Sequence, residues 1–398
     1  MEPREIILDI LYRVFCENGY ASLMMRKMKA DVRDAAFIAE VVYGTIRNYS
    51  LLEEQWRPFA KKAKPRTAVL LDMSIYQIFF MDVPSYAAVS EAVEMAGKHE
   101  GKFVNAVLRR VIGQGLVTPQ EPFEKYSHPE WIYRMWKAHY GEETALKIMS
   151  HDQQKAVSYG RINTLKTTKQ EMEQDPSLHF RDDICFVYDG VLQKTDAFRE
   201  GKVVIQDYSS QQTVRLLKAQ PGMRVLDACA APGTKTQEMA MFMENRGEII
   251  AGELHAHRAK LIDELMLRTG TDIVRAKVMD AAEPDLFEKE SFDRILLDVP
   301  CSGLGDLSHK PEIRWHLKPQ DIDEITAVQK QILEACSAYL KKEGILVYST
   351  CTLNRKENEN QVKKFLLDHE DFSLIEEKTI FPYEYDSDGF YMAALRRI

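Results

Sequence analysis

The first third of the chain repeats apolar positions at helical spacing. In "REIILDILYRVF", Ile6, Ile7, Ile10, Leu11 and Val14 fall at i, i+3/i+4 steps and make one apolar stripe. The runs "DAAFIAEVVYGTIRNYSLLEEQW", "AVLLDMSIYQIFF" and "AAVSEAVEMAG" keep the same period, and polar residues such as Asp34 and Ser85 stand where helix caps belong. The turn-rich stretch "GQGLVTPQEP" at residues 113–122 closes this region, so residues 1–125 read as an all-helical domain. Residues 126–205 change character. "HPEWIYRMWKAHYGEETALKIMS" predicts two helices broken at Gly141, and "YGRINTLK" and "DICFVYDGVL" predict strands with a helical "KTTKQEMEQ" between them, a small α+β module. Residues 206–398 alternate short Val/Ile/Leu-rich strands ("RVLDACA", "EIIAGEL", "DIVRAKVMD", "FDRILLDVP", "GILVYSTC") with helices, the pattern of an α/β domain whose parallel sheet is covered on both faces.

Composition narrows the class. At 398 residues, 45% hydrophobic and 29% charged, the chain is expected to be globular and multidomain. No run approaches the roughly 18 uninterrupted apolar residues of a spanning helix, and the acidic, amphipathic N-terminus does not resemble a signal peptide. Six cysteines without a CxxC pair fit neither a disulfide framework nor a zinc site, so free thiols in a reducing cytoplasm are expected, and no metal. The net charge of −8 argues mildly against nucleic acid, yet residues 1–130 carry 17 basic and 17 acidic residues, and basic clusters stand at "KKAKPR" (61–66) and "LRR" (108–110). A charge run is most often a solvated face, so composition leaves a nucleic-acid partner open.

In an α/β sheet, ligands bind at the carboxyl ends of strands. The first strand of the α/β region ends "VLDACAAPGTKT". After Cys229, which is expected to pack beneath the loop, Ala230, Ala231 and Gly233 carry almost no side chain and Pro232 stiffens the turn; the helix starting near Thr234 and Lys235 offers free N–H groups to an anion. This is not GxGxxG, which weakens a dinucleotide reading. The second strand ends in Glu253, placed to bond ribose hydroxyls, and the third in Asp280, placed for an adenine amino group. Either acid alone would more simply be a cap or a surface charge; their order on successive strands points to a nucleoside cofactor with a carboxylate, S-adenosylmethionine.

Two further strands end near cysteines: Asp298 and Cys301 in "LLDVPCSGLG", Cys351 in "YSTCTLNRKENE". If the cofactor donates a methyl group, an acceptor such as carbon 5 of a pyrimidine needs activation. A thiolate adding to carbon 6 supplies it, a carboxyl group can balance charge at N3, and a second helper must let the thiol leave. Asp298, Cys301 and Cys351 supply that set. The "RILL" before Asp298 suggests apolar surroundings that favour a protonated, hydrogen-bond-donating carboxyl, and a helix opening near Arg355 would favour the Cys351 thiolate. Cys16, Cys185 and Cys336 lie inside helix or strand patterns and read as small core hydrophobes.

"DACAAPGTKT", "DVPCSGLG", "YSTCTLNRKENE" and "DGFYMAAL", with "QDYSSQ" upstream, resemble the RNA cytosine-5 methyltransferases of the Fmu/Sun/NSUN type. "VVYGTIRNYSLLE" and "KFVNAVLRR" resemble the NusB-like RNA-binding domain that precedes the catalytic part in the bacterial 16S ribosomal RNA methyltransferase B branch. The resemblance implies a Rossmann-like methyltransferase domain, a NusB-like helical domain and an RNA-recognition-like middle module. It implies that Cys351 attacks, that Cys301 helps release the product, that Asp298 contacts base and cofactor, and that residues 229–235, Glu253 and Asp280 hold S-adenosylmethionine. Ribosomal RNA of the small subunit is the implied partner, with no DNA and no membrane; a monomer is expected.

The chain departs from the family pattern in four places. Thr234 replaces a second glycine, which a β-branched residue tolerates only with negative φ. Glu253 replaces an aspartate, Ala394 a lysine, and Asp306, Ser308 and His309 stand where arginines are frequent, leaving Lys310 and Arg314 as the RNA contacts there. Two other readings stay open: the same chemistry on transfer RNA, or a NusB-like RNA-binding protein whose methylase half is only a scaffold.

Overall fold

The computed structural model describes residues 2–28, 32–60 and 62–398, so Lys61 of the basic run lies outside the described residues. The chain forms two compact units, one of Met1–Lys155 with Leu307–Leu317, the other of Ala156–Asp306 with Lys318–Ile398.

The first unit is helical. Its helices Pro3–Glu17, Val32–Arg47, Tyr49–Trp56, Pro65–Phe80 and Ser85–Gln114 follow the apolar periods, and Leu11, Val14, Val42, Ile46, Leu71, Ile75, Val104 and Leu108 meet in one core. Proline opens two of them, at Pro3 and Pro65, where the missing N–H costs nothing. Gly97, at φ +69°, breaks the longest into two. The two residues expected as caps lie just inside their helices: Asp34 is in the first turn of its helix, and Ser85 follows Pro84, which holds the cap position. Glu130–Tyr140 and Glu142–His151, parted at Gly141 as the sequence predicts, lie within the residues of this compact unit.

The second unit holds two sheets. The smaller comprises β1 (Tyr159–Ile162), β2 (Leu178–Phe180), β3 (Cys185–Tyr188) and β4 (Val203–Ile205), all antiparallel, in the order β2-β3-β1-β4. The larger comprises β5 (Arg224–Asp227), β6 (Glu248–Glu253), β7 (Val274–Val278), β8 (Phe292–Asp298), β9 (Leu340–Thr350), β10 (Phe372–Ile380) and β11 (Phe390–Arg397), in the order β10-β11-β9-β8-β5-β6-β7. The five strands from β9 to β7 are parallel. The fully buried runs Ile295–Leu297 and Leu346–Tyr348 explain why the central strands carry no polar alternation. A correction concerns the edge: β11 pairs antiparallel with β9 and with β10, so the sheet is mixed. Ala394 sits in that hairpin as a buried core residue. Among the described residues, no helix is long and apolar enough to cross a membrane.

Candidate active site

Sheet register builds the thiol edge. Asp298 at the end of β8 lies opposite Ser349 on β9, so the loops that leave both strands start side by side. Cys301 comes three residues after Asp298 and Cys351 two after Ser349, and their Sγ atoms are 3.3 Å apart. The loops then touch backbone to backbone. Gly305 N–H donates to Cys351 O at 2.9 Å and Gly389 N–H to Gly305 O at 2.8 Å. A Cβ on Gly305 would stand 1.9 Å from Gly389 O, so only glycine allows this approach.

Asp298 is not in the apolar setting its preceding residues suggested. Lys235 Nζ donates to its Oδ2 at 2.8 Å and Ser349 Oγ to its Oδ1 at 2.9 Å, the geometry of a hydrogen-bond acceptor. Burial opposes the charge on Lys235, but Asp298 and, after it, Cys351 raise its pKa above the ordinary lysine value. The cation supplied to this strand edge is therefore Lys235, through Asp298. The helix expected to open near Arg355 begins only at Glu359, and Arg355 lies 3.7 Å from Glu359. The hydrogen bond with Cys351, then burial, the charge of Cys351 and that of Glu357 push the Cys301 thiol well above its usual range.

Sequence reasoning missed the group that joins the loops. Glu357 is completely buried. Its Oε2 accepts from Ser302 N–H at 2.9 Å and Gln329 Nε2 at 3.1 Å, its Oε1 from Ser302 Oγ at 2.6 Å and Asn354 Nδ2 at 3.0 Å. Its only advance signal was an acid within six residues of Cys351.

The cofactor edge lies on β5 to β7. Gly233 caps the helix Thr234–Phe242 at φ +101°, while Thr234 is the first helical residue, so the β-branched side chain avoids the left-handed region. Ala230 is buried, and Cys229 packs against the sheet's core, with burial raising its thiol pKa well above the ordinary value. Asp227, buried at the end of β5, accepts from Thr236 Oγ1 at 2.7 Å, and burial pushes its pKa up to about 7. Glu253 is buried at the end of β6; its Oε1 accepts from His255 N–H at 3.0 Å and its Oε2 lies 3.4 Å from Arg258. Asp280 accepts from Ala282 N–H at 2.9 Å. A carboxylate can accept about four hydrogen bonds, so both acids keep capacity for hydroxyl or amino donors. The small sheet also reaches this edge: Arg161 on β1, fully buried, donates to Thr234 O at 2.9 Å and to Gln206 Oε1 at 2.7 Å.

One expected RNA contact is corrected. Arg314 is fully buried in the first unit, donating to Ser127 O at 3.2 Å and Asp152 O at 3.4 Å, with His128 Nδ1 at 3.3 Å. Its guanidinium is spent on backbone carbonyls and does not face solvent. Lys310 is exposed, whereas Asp306 and Ser308 are buried.

Residues 214–396 match the family model for 16S rRNA methyltransferase RsmB/F, residues 1–113 that for the NusB family, and residues 128–175 that for the ferredoxin-like domain of RsmF/B-like methyltransferases. "Probable ribosomal RNA small subunit methyltransferase B" of Bacillus subtilis (strain 168) is 33% identical over 439 residues, covering 99% of this chain and 98% of that protein. The crystal structure of PH0851 overlays with a TM-score of 0.84 at 22% identity, covering 100% of this chain and 99% of that one. NSun6 from Pyrococcus horikoshii with SFG overlays at 0.63 and 22% identity, covering 68% of this chain and 98% of that one. Both overlays are likenesses of fold.

Proposed function

The chain belongs to the 16S rRNA methyltransferase RsmB/F family, and on that premise we propose that it methylates carbon 5 of a cytosine in small-subunit ribosomal RNA through a covalent adduct between carbon 6 and Cys351. The observation that carries the reading is the pair of sulfurs 3.3 Å apart on neighbouring strand ends, beside an Asp298 already bonded to Lys235.

S-adenosylmethionine, the family's cofactor, supplies the methyl group when bound. The residues present fit it: Glu253 and Asp280 retain acceptor capacity, and the loop from Cys229 to Lys235 puts small residues before a helix N-terminus. The Cys351 sulfur bonds to carbon 6, its proton passes to N3, and the C5–C6 electron pair becomes that of a nucleophilic enamine. Asp298, held as an acceptor by Lys235 and Ser349, takes the hydrogen bond from the protonated edge of the base. Once carbon 5 carries the methyl group, its proton must leave, the C5–C6 double bond re-forms and the C6–S bond breaks. Cys301, kept as a thiol by its neighbours, hands a proton to the departing Cys351 sulfur and accepts the carbon 5 proton in exchange. The N3 proton returns to solvent.

The test is a denaturing gel of protein mixed with S-adenosylmethionine and small-subunit rRNA, with transfer RNA as the parallel substrate. Cys301→Ala should accumulate an RNA adduct and Cys351→Ala should form none. An adduct lost only in Cys301→Ala would reverse the two roles. Adducts with transfer RNA alone would overturn the substrate.

A further inference from the structure

A fully buried carboxylate is costly unless it is paired or densely hydrogen-bonded. Among the described residues, the partners of Glu357 are all neutral: a backbone N–H, a hydroxyl and two amides. They come from three separate stretches. Ser302 adjoins Cys301, Asn354 follows Cys351 by three residues, and Gln329 lies on the helix Asp321–Ser337. Gln329 Nε2 also donates to Pro300 O at 3.0 Å, immediately before Cys301. Ser302 Oγ lies 2.7 Å from Thr352 Oγ1, immediately after Cys351. Tyr348 OH donates to Glu357 O at 2.6 Å and pins its backbone to β9. Each cysteine is thus bracketed by residues that lead to one carboxylate.

We propose that Glu357 is a positioning residue for methyl transfer: it locks the Cys301 and Cys351 loops in register against one helix and reserves attack for Cys351. The inference rests on the two-thiol reading above. A negative charge one residue from Cys301 disfavours a second negative charge on that sulfur. Cys301 touches Cys351, and its neighbour Ser302 is bonded twice to Glu357, which raises the Cys301 thiol further; the cation at this edge, Lys235, is bonded to Asp298. Two thiols in contact would otherwise compete for the same carbon.

Glu357→Gln removes the charge while preserving most of the shape. Its amide oxygen can stay on Ser302 N–H and Gln329 Nε2, and its NH2 can face Ser302 Oγ, a hydroxyl able to accept, while the bond from Asn354 Nδ2 is lost. In the full chain without RNA, iodoacetamide labelling of Cys301 and Cys351 is followed peptide by peptide across pH. In Glu357→Gln, Cys301 should label at lower pH, about tenfold faster near neutrality for each pKa unit released, with Cys351 much less affected. In single turnover, methyl transfer to small-subunit rRNA should fall about 100-fold, the cost of a misplacement near 1 Å, with S-adenosylmethionine affinity within about twofold, well inside the roughly tenfold step of 1.4 kcal/mol. Part of the RNA adduct should move onto Cys301. Should Glu357→Gln fail to fold, Ser302→Ala removes the one hydroxyl that joins Glu357 to Thr352 and keeps the charge, so it should slow transfer while leaving the Cys301 labelling profile in place. Unchanged Cys301 labelling or unslowed transfer in folded Glu357→Gln, or unslowed transfer in Ser302→Ala, would overturn the proposal. A shifted Cys301 profile in a protein whose wild type transfers no methyl group to any rRNA would support the clamp and sink the substrate reading, so the two fail separately.

Discussion

The thiol edge and the cofactor edge sit on the same sheet but are held in opposite ways. Around Cys301 and Cys351 the polar groups are bonded to one another: all four donors aimed at Glu357 are matched, and Asp298 is shared by Lys235 and Ser349. Around Glu253 and Asp280, backbone geometry and small residues shape the loop, and each acid accepts from the backbone N–H two residues further on. The difference follows from what arrives. A nucleophile supplied by the protein must be aimed before substrate comes, which favours a closed network. A ligand that dissociates must find acceptors with capacity left.

Asp298 lies where the two edges meet, so it offers the hardest test of the contrast. Asp298→Ala should lower single-turnover methyl transfer about 10²–10³-fold, the range for losing a preorganised charge-stabilising group, and should also weaken cofactor binding. A change in one parameter alone would break the idea that this residue serves both edges. Glu253→Ala sharpens the contrast from the other side. Calorimetry should find S-adenosylmethionine bound about 10–100-fold more weakly, as expected for a hydrogen bond to a charged group of about 1.5–3 kcal/mol. Transfer at saturating cofactor should stay near wild type, because the thiol network is untouched.

The smallest effect is a pH dependence of stability. Burial raises the Asp227 carboxyl to about 7 in the folded chain, above the unfolded value of about 3.9. Its contribution is therefore complete below about pH 4 and is lost as pH rises through about 7. The thermal midpoint should fall by a few degrees across that window, and Asp227→Asn should flatten the slope. A midpoint that rises over the same interval would contradict this account of the buried acid.

The parts of the site that were legible in the sequence are those fixed by local pattern. Strands ending in Asp227, Glu253, Asp298 and Thr350 announce themselves by apolar runs, and the cysteines follow within a few residues. Glu357 was hidden because its donors come from residues 302, 329 and 354, which only the sheet register brings together. The same network explains the misjudged helix start. Asn354, Glu357 and Asn358 spend their side chains on the loops, with Asn358 Nδ2 donating to Thr352 O at 2.8 Å, so the charged run stays a turn until Glu359. Arg314 misled for the opposite reason: a cation in a polar stretch looks like surface until its carbonyl partners, far away in sequence, are known. The β10–β11 hairpin escaped because "FSLIEEKTI" mixes exposed charges with apolar ends, as an edge strand does.

The return of residues 307–317 to the helical unit sets an order of completion during synthesis. Trp315 Nε1 donates to Ile46 O at 3.0 Å, His316 Nε2 lies 2.8 Å from Val14 O, and Arg314 occupies the carbonyls of Ser127 and Asp152. A ribosome making this chain releases the first helices long before those side chains exist, and more than three-quarters of the chain is made by residue 317. The N-terminal helices are first to emerge without being first to be finished. A nascent chain stalled before residue 307 carries an unfinished helical unit, and its integrity is decided near the end of translation.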